Sequence, residues 1–275
     1  MAEENTLQRW QRQAVEVLAR RRAEPRSLNN VTALTYHLFS DPAVFDARFG
    51  EVMCAFLMTR AACGDIPCML VVNRVTPQVS RFCEEHGVRI DCDRSLSGGL
   101  RCLSLDYIQR LHERFDTEYV LCVHGDGFPL RRGIEPFVGP YDYIGSPWGR
   151  PSWYTNLVFP YPQYCVGNGG LSVRSKRLCE LASACYRRRY KLLPDCYVVV
   201  DDVFYGRVLP RFEPACRRTM VYAPPDVAGR FSFESNIEFY AVGGEMPFGF
   251  HSVGGFERVM RDFSGRVDAL VRGAE

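Results

Sequence analysis

Residues 119–130 read YVLCVHGDGFPL, and this stretch decides the fold class of the 275-residue chain. The apolar run Tyr119–His124 has the length and composition of a buried strand. It leads directly into Gly125-Asp126-Gly127, a carboxylate between two glycines. Glycine has no Cβ, so the backbone there can come close to a bulky ligand such as a pyrophosphate. We therefore expect a buried strand whose carboxyl end presents Asp126 to a ligand.

Short apolar runs alternate with stretches of helical periodicity on both sides of this strand. Such alternation, with helices of roughly 10–20 residues, indicates βαβ units and a mainly parallel sheet. The predicted strands are 31–38, 68–73, 88–92, 119–124, 143–145, 170–173, 198–201 and 220–223, and the predicted helices are 6–22, 42–62, 76–86, 103–115, 175–190 and 256–272, with one more from Asp202. The sequence thus predicts an α/β fold with helices on both faces of the sheet.

The domain organisation is expected to be simple, because the chain has no internal repeat and no clean linker. Residues 1–30 should form an N-terminal helix and a connecting loop, with Asn5 capping the helix. The apolar face of this helix is predicted from Leu7, Trp10, Ala14, Val17 and Leu18. Residues 31–255 should form a single α/β domain, and residues 256–275 a C-terminal helix packed on it.

Composition narrows the class of protein. Hydrophobic residues make up 47% and charged residues 24%, which is typical of a globular protein. No apolar run approaches the roughly 20 residues of a membrane span, and the first five residues do not resemble a signal peptide, so we expect a cytoplasmic protein. The net charge is only +2 and the arginine clusters are short and scattered, which makes nucleic acid a less favoured partner without excluding it. Twelve cysteines, none in a CxxC motif, favour neither disulfides nor zinc.

Polar side chains follow several predicted strands. In open parallel sheets, ligands bind outside the carboxyl ends of the strands. Carboxylates that share this edge repel one another, and a divalent cation is the usual reason for tolerating them. Each acid taken alone is explained equally well by a loop. The polar residues at strand ends are Thr35, Tyr36, Asn73, Asp91, Asp93, His124, Asp126, Asp201 and Asp202.

Three further features carry candidate chemistry. The loop Gly167-Asn168-Gly169-Gly170 is neither a P-loop nor a GxGxxG motif, so it is either a tight turn or a place of close approach to a sugar or phosphate. Asp201 and Asp202 precede a predicted helix, where they either cap it or supply a general base. His251, in an aromatic loop, is either structural or completes a metal site.

In chain order, His124-Gly125-Asp126 and these three features resemble four features of the glycosyltransferase GT-A fold. Those are a DxD metal motif, a glycine-rich loop, an acidic xED motif and a C-terminal histidine. More closely, the chain resembles a microbial and viral family of glycosyltransferase-like proteins catalogued as a domain of unknown function. The glycine loop and DDVFYG are also similar to the β1,3-galactosyltransferase-like group, whose members invert at the anomeric carbon. The segments that carry the resemblance are YVLCVHGDGFPL (119–130), YDYIGSPW (141–148), VGNGGLSVRS (166–175), DDVFYG (201–206), APPDVAGRFSFE (223–234) and MPFGFH (246–251).

The resemblance implies a nucleotide-binding sheet and the transfer of a sugar from a nucleotide-diphosphate sugar, UDP-sugar first, to an acceptor hydroxyl. It implies Mn²⁺ or Mg²⁺ held by Asp126 and His251, and Asp202 as the base of an inverting reaction with Asp201 as the fallback. One residue departs from the pattern, because His124 stands where DxD has its first acid. This departure leaves open weaker metal binding or a smaller dependence on metal, and retention of configuration also stays open, because a fold does not settle the mechanism.

The resemblance also implies donor-binding roles for other residues. Thr35, Tyr36 and His124 would face the nucleotide, and Asn168, Gly169 and Gly170 would line the sugar pocket. Trp148 and Trp153 would either stack on a sugar face or pack in the fold.

Other interpretations stay open at this point. The first is a sugar-nucleotide-binding protein with a degenerate site, which His124 supports. The second is a glycosyltransferase that acts on modified DNA bases, whose binding would weaken steeply with salt. Nucleotidyl transfer is less favoured, because no glycine-arginine loop lies near the start of the chain.

Overall fold

The computed structural model describes residues 4–21, 28–191, 200–234, 238–239 and 244–274. The strands in these ranges are β1 Val31–His37, β2 Cys68–Val72, β3 Val88–Cys92, β4 Tyr119–Val123, β5 Tyr143–Gly145, β6 Leu171–Ser175, β7 Ser232–Phe233 and β8 Gly249–Phe250. The α-helices are α1 Thr6–Leu18, α2 Pro42–Cys63, α3 Pro77–His86, α4 Leu100–Gln109, α5 Trp153–Val158, α6 Lys176–Cys185, α7 Asp201–Val203, α8 Leu209–Phe212, α9 Pro214–Thr219, α10 Pro225–Phe231 and α11 Val253–Arg272. Single 3₁₀ turns lie at Leu111–Glu113 and Glu135–Phe137, and π-helical turns at Tyr186–Tyr190 and Phe204–Val208.

Six strands form one sheet in the order β3-β2-β1-β4-β6-β5. Strand β1 pairs in parallel with both β2 and β4, and β2 pairs in parallel with β3. Strand β6 runs antiparallel to its neighbours β4 and β5. The predicted α/β class with a mainly parallel sheet is confirmed. The order of the strands reverses between β1 and β4, and ligands of such sheets bind in the crevice at the carboxyl ends of the strands at this switch point.

Both faces of the sheet are covered. Strands β1, β2 and β4 are buried along their whole length, which fits the continuous apolar sequences of β2 and β4. Helix α2 packs on β1 and contacts α1 and α11, whereas α4 packs against α6. The buried face of α1 is formed by Leu7, Gln11, Ala14 and Leu18. The N-terminal and C-terminal helices therefore contribute to the same core as the sheet.

The predicted boundaries agree with the structure in most elements. Asn5 caps α1 as predicted, and Gly87 ends α3 in the left-handed conformation with φ 57°. Helix α11 begins at Val253, earlier than expected. The strand predicted over 220–223 is reduced to an isolated bridge between Tyr222 and Tyr143. The strand predicted over 198–201 lies largely outside the described residues.

Two expectations from composition can be compared with the described part of the chain. The eleven cysteines there are all free, and most of them are buried. None of the helices in the described ranges combines the length and the apolar character that a membrane crossing requires.

The acids Asp91 and Asp93, expected at the ligand edge, serve the fold instead. Arg114 is 4% exposed, and its Nη1 donates to Asp91 at 2.7 Å while its Nη2 donates to Asp93 at 3.0 Å. The same guanidinium donates to Asp106, which also accepts a 2.6 Å hydrogen bond from the Tyr36 hydroxyl. The buried guanidinium of Arg114 therefore joins the end of β3 to α4. This ion pairing accounts for Asp91 and Asp93 without a metal.

We expect Arg114→Met to destabilise the fold strongly. The substitution leaves the partly shielded carboxylates without their cation, and breaking a buried ion pair costs about 3–5 kcal/mol. The free energy of unfolding, measured in urea, should fall by that amount. Arg89→Met is the matched control, because the Arg89–Asp116 pair is exposed, with 66% and 81% of the two side chains accessible; it should cost less than about 1 kcal/mol. Equal losses in the two variants would contradict this account of the network.

Candidate active site

The site is built on the tight turn that follows β4. The N–H of His124 donates to the Gly127 carbonyl at 2.8 Å, and the Gly127 N–H donates back to His124 at 3.0 Å. Gly125 and Asp126 therefore form the tip of a two-residue hairpin at the carboxyl end of a buried strand. The side chain of Asp126 is 49% exposed there. This is the position that the sequence predicts for Asp126.

Both glycines of this turn lie directly against neighbouring parts of the chain. A Cβ on Gly125 would lie 2.8 Å from the Cβ of Glu51, and one on Gly127 would lie 2.6 Å from the Gly170 carbonyl oxygen. The space beside both glycines is thus filled by neighbouring chain. Close packing replaces the expected approach of a ligand as the reason for these two glycines.

His251 reaches the turn through the short parallel pair β7 and β8. In this pair Ser232 lies opposite Gly249, and Phe233 lies opposite Phe250. The residues that follow, Glu234 and His251, are consequently neighbours, with Glu234 Oε1 3.1 Å from His251 Nδ1.

A backbone hydrogen bond attaches this segment to the turn, because the Ser252 N–H donates to the Asp126 carbonyl oxygen at 2.8 Å. The strand end, the histidine and its carboxylate partner therefore meet at one place.

Three side chains form a cluster suited to a metal ion. Ligand atoms of His124, Asp126 and His251 all lie within 4.8 Å of one another. The Nε2 atom of His251 is 3.7 Å from Asp126 Oδ1. Imidazole nitrogens suit transition metals and carboxylate oxygens suit Mg²⁺ and Mn²⁺. The donor set therefore fits a divalent ion, and the two imidazoles favour Mn²⁺ over Mg²⁺.

The pKa values of the two histidines are shifted in opposite directions. Burial lowers the pKa of His124 to about 4, so its ring is neutral at neutral pH; its Nε2 lies 3.0 Å from the Tyr107 hydroxyl, and Nδ1 has the lone pair for a metal when Nε2 carries the hydrogen. Burial also lowers the pKa of His251, but the hydrogen bond with Glu234 and the charge of Asp126 outweigh it, and the net pKa is raised. The same carboxylates attract a metal cation. Glu234 also fixes the orientation of the ring, as outer carboxylates do for metal-bound histidines.

The glycine loop forms the wall behind His251. A Cβ on Gly170 would lie 1.9 Å from Cδ2 of His251, so the ring lies directly on this glycine. Asn168 adopts φ 72°, and its side-chain oxygen accepts a 2.8 Å hydrogen bond from the Gly170 N–H. Asn168 is 1% exposed. Gly169 faces Asp201, whose Oδ2 would lie 3.0 Å from an added Cβ. These residues shape the loop, and their contacts with a sugar stay predictions.

The two adjacent acids occupy different environments. Helix α7 begins at Asp201 after Val200, so neither acid occupies the cap position, but both lie in the first turn, where Asp202 Oδ1 accepts a 2.6 Å hydrogen bond from the Val203 N–H. Asp201 is 7% exposed and accepts a 2.7 Å hydrogen bond from Arg174 Nη2. Arg174 is fully buried, and its guanidinium lies over the rings of Tyr107, Tyr143 and Tyr205. Asp201 is therefore anchored in a buried ion pair.

Asp202 has the proton affinity of a general base. Burial and then repulsion by Asp201 raise the pKa of Asp202 to about 6. A base with a pKa just below neutral is ionised at pH 7 and still takes up a proton readily. Its charge also acts on His251, whose pKa it raises. The candidate base and the candidate metal cluster therefore lie close enough to interact electrostatically.

A cleft of about 270 Å³ opens beside the turn, at the carboxyl ends of β1 and β4. Tyr36 lies in its wall, whereas Thr35 is fully buried and does not line it. The predicted nucleotide contacts of these two residues stay predictions. The cleft is lined by Tyr36, His37, Phe39, Arg48, Glu51, Val52, Leu103, His124, Gly125 and Asp126.

The two candidate stacking tryptophans are placed differently. Trp148 packs against Gly167, where an added Cβ would lie 1.9 Å from the indole, and the Arg207 guanidinium lies 4.2 Å from its ring. Packing explains Trp148. Trp153 is 77% exposed on α5, and its contact with a sugar stays a prediction.

Sequence reasoning missed Glu234 and Arg174, although both lie in the segments that carry the resemblance. Arg174 directly follows the predicted strand 170–173, in which Leu171 and Val173 are the large apolar residues, so the signal of a buried ion pair in the sequence was only weak. Glu234 had no such signal, because it meets His251 only through the register of β7 and β8.

A comparison with protein-family models identifies the family. The model described as Protein of unknown function (DUF5672) matches residues 104–251. The chain belongs to this family, which confirms the predicted membership of a family of unknown function. The matched region begins in α4 and ends at His251, so it includes the metal cluster, the glycine loop and both adjacent acids.

Two solved structures are similar to the chain at low identity. Mannosyltransferase PcManGT from Pyrobaculum calidifontis, in complex with GDP-Man and Mn²⁺, is 13% identical, with a TM-score of 0.42 over 80% of this chain and 63% of that one. The apo-form glycosyltransferase GlyE of Streptococcus pneumoniae TIGR4 is 10% identical, with a TM-score of 0.45 over 90% of this chain and 64% of that one. The chain thus spans less than two thirds of either structure. A search of the curated proteins found no match.

We expect Gly170→Ala to impair metal binding. The new methyl group would occupy the position of the His251 ring and displace it from Asp126. The affinity for Mn²⁺, measured by isothermal titration calorimetry, should fall at least about tenfold, as it does when the support of a metal ligand is lost. Gly265→Ala in α11 is the control, because an added Cβ there has nothing within 4 Å. Unchanged Mn²⁺ affinity in Gly170→Ala would separate the glycine loop from the metal cluster.

Proposed function

We propose that this protein is a glycosyltransferase that moves a sugar from a nucleotide-diphosphate sugar to an acceptor hydroxyl, with inversion at the anomeric carbon. The observation that carries the proposal is the cluster of His124, Asp126 and His251 at the switch point of the sheet, where His124 and Asp126 line a cleft and Asp202 is close enough to act on His251. A diphosphate requires a cation to balance its charge, and an acceptor hydroxyl requires a base. The site offers ligands for the first and a residue for the second.

The metal-binding part of the proposal uses Asp126, His251 and His124. A divalent ion bound there would stabilise the negative charge of the departing nucleotide diphosphate. Glu234 holds His251 toward Asp126. His124 occupies the place of an acid, and its neutral ring keeps a lone pair for the ion. In this proposal an imidazole nitrogen of His124 takes the place of a carboxylate oxygen, so the number of protein ligands is unchanged.

The catalytic part of the proposal uses Asp202. As the acceptor oxygen forms its bond to the anomeric carbon, Asp202 takes the hydroxyl proton, and the bond from that carbon to the diphosphate oxygen breaks. Asp201 is held by Arg174, so its negative charge remains next to Asp202 and raises the proton affinity of the base. Asp201 is thus a supporting residue in this proposal, and its occupied carboxylate disfavours it as the fallback base.

The donor would lie in the cleft between β1 and β4, with its base toward Tyr36 and its diphosphate at Asp126. The resemblance favours a UDP-sugar as donor and a glycan or another hydroxyl compound as acceptor. A second candidate function is binding of the nucleotide sugar without transfer. His124 in place of an acid favours that alternative, while the pKa of Asp202 favours catalysis.

We expect Asp202→Asn to abolish transfer and to leave donor binding intact. The amide cannot take the acceptor proton, and loss of a general base costs roughly 10²–10⁴-fold in rate. In the unchanged protein, kcat/KM should rise with pH through about 6, because protonated Asp202 is inactive below that pH. The measurement is product formation from a panel of nucleotide sugars with Mn²⁺, together with calorimetric donor binding.

Asp226→Asn is the matched control, because Asp226 is an exposed acid paired with Arg230 on α10. It should leave both transfer and donor affinity unchanged. Retained transfer in Asp202→Asn would remove Asp202 from the role of base. Donor binding by the unchanged protein without any turnover would support the binding alternative instead.

A further inference from the structure

Helix α1 reaches directly into the turn that carries the candidate metal ligands. Gln11 is 2% exposed on the buried face of this helix. Its Nε2 donates a hydrogen bond to the carbonyl oxygen of Gly125, the residue between His124 and Asp126. The Oε1 atom of the same side chain is buried, with no partner among the described residues. A buried glutamine in this position is costly unless its one hydrogen bond matters.

A second glutamine of α1 supports the same turn from the side. Gln8 donates to Glu51 Oε1 at 2.9 Å, and Arg48 holds both oxygens of Glu51 at 3.0 and 2.7 Å. Glu51 lies against Gly125, so closely that no Cβ would fit there. Helices α1 and α2 therefore enclose the tip of the turn between them.

Aromatic packing fixes the position of α1. The ring of Trp10 stacks on Phe128 at a centroid distance of 6.2 Å and lies 5.2 Å from Phe256. Phe128 follows the turn directly, and Phe256 belongs to α11. The helix is thus held, one residue before Gln11, against both the end of the turn and α11.

We propose that Gln11 is a positioning residue for the metal cluster, and that α1 therefore belongs to the site. By holding the Gly125 carbonyl, Gln11 fixes the peptide at the tip of a two-residue turn. Since His124 and Asp126 flank this peptide, its orientation sets the separation of their side chains. The inference rests on the metal binding assigned to the cluster under the proposed function. It extends the site beyond residues 104–251, which define the family.

The test uses the full chain and Mn²⁺ alone as the probe. Gln11→Met keeps the length of the side chain and removes the donor. We expect the affinity for Mn²⁺, measured by calorimetry or by electron paramagnetic resonance, to fall about tenfold, as for other groups that orient metal ligands. Gln11→Glu is the second variant, because it retains size and polarity while offering the Gly125 carbonyl an acceptor in place of a donor; it should weaken Mn²⁺ binding as well.

Leu18→Ala controls for a general loosening of α1. Leu18 is buried at the far end of the helix, 3% exposed, and its truncation should lower the melting temperature without changing the Mn²⁺ affinity. A loss of Mn²⁺ affinity in Leu18→Ala equal to that in the Gln11 variants would overturn the positioning role.

Asp126→Asn separates this inference from the proposed function. If Asp126→Asn weakens Mn²⁺ binding and the Gln11 variants do not, the positioning role is overturned while the metal cluster stands. If the unchanged protein and Asp126→Asn give the same Mn²⁺ titration, the metal cluster is wrong and the role of Gln11 falls with it.

Discussion

The structure of the site depends on the hydrogen bond between the Ser252 N–H and the Asp126 carbonyl oxygen. This bond joins the end of a central strand to a segment from the far end of the chain. The bridge between Pro129 and Gly249 and the 2.8 Å hydrogen bond from the Leu130 N–H to the Phe248 carbonyl oxygen hold the same two segments together. The pairing of Phe250 with Phe233 then brings Glu234 to His251. The site is therefore a consequence of backbone pairing, which positions the side chains before any ligand is bound.

Charge is distributed around this junction in two separate ways. Arg174 neutralises Asp201 inside a cage of tyrosine rings, where the pair is closed to solvent. Asp126 and Glu234 instead face His251, which lies at the edge of the site and gains proton affinity from them. Burial, and then the charge of Asp201, raise the pKa of Asp202 even though Arg174 opposes the shift, and the outer carboxylates leave a place for a cation. Base and cation site are thus neighbours that use different acids.

The sequence predicted the parts of this arrangement that follow from local pattern. The end of β4 was predictable because an apolar run meets Gly125-Asp126-Gly127. The end of α3 was predictable because a glycine follows the helix, and Gly87 adopts φ 57° there. The partner of Glu234 was not, since β7 and β8 are two residues each and show no periodicity. Asp91 was misplaced for another reason: its partner, Arg114, comes from beyond α4.

The apolar face predicted for helix α1 differs from the face that is buried in the structure. The apolar residues predicted a face that includes Val17, which is 43% exposed in the structure. The buried face instead passes through Gln11, at positions with the spacing of a helix. A polar residue at such a position looks like an interruption of the pattern, and only the backbone carbonyl that it meets explains it.

The most direct test of the central claim is a thermal-melting screen of nucleotide sugars with and without Mn²⁺, on the unchanged protein and on Asp126→Asn. A ligand at 100 times its dissociation constant adds about 2.7 kcal/mol of stability, which gives a clear rise in Tm. We predict that one nucleotide sugar raises the Tm of the unchanged protein only when Mn²⁺ is present, and that Asp126→Asn loses this response. If no nucleotide sugar raises the Tm with Mn²⁺, or if Asp126→Asn responds equally, the metal-dependent donor site is contradicted.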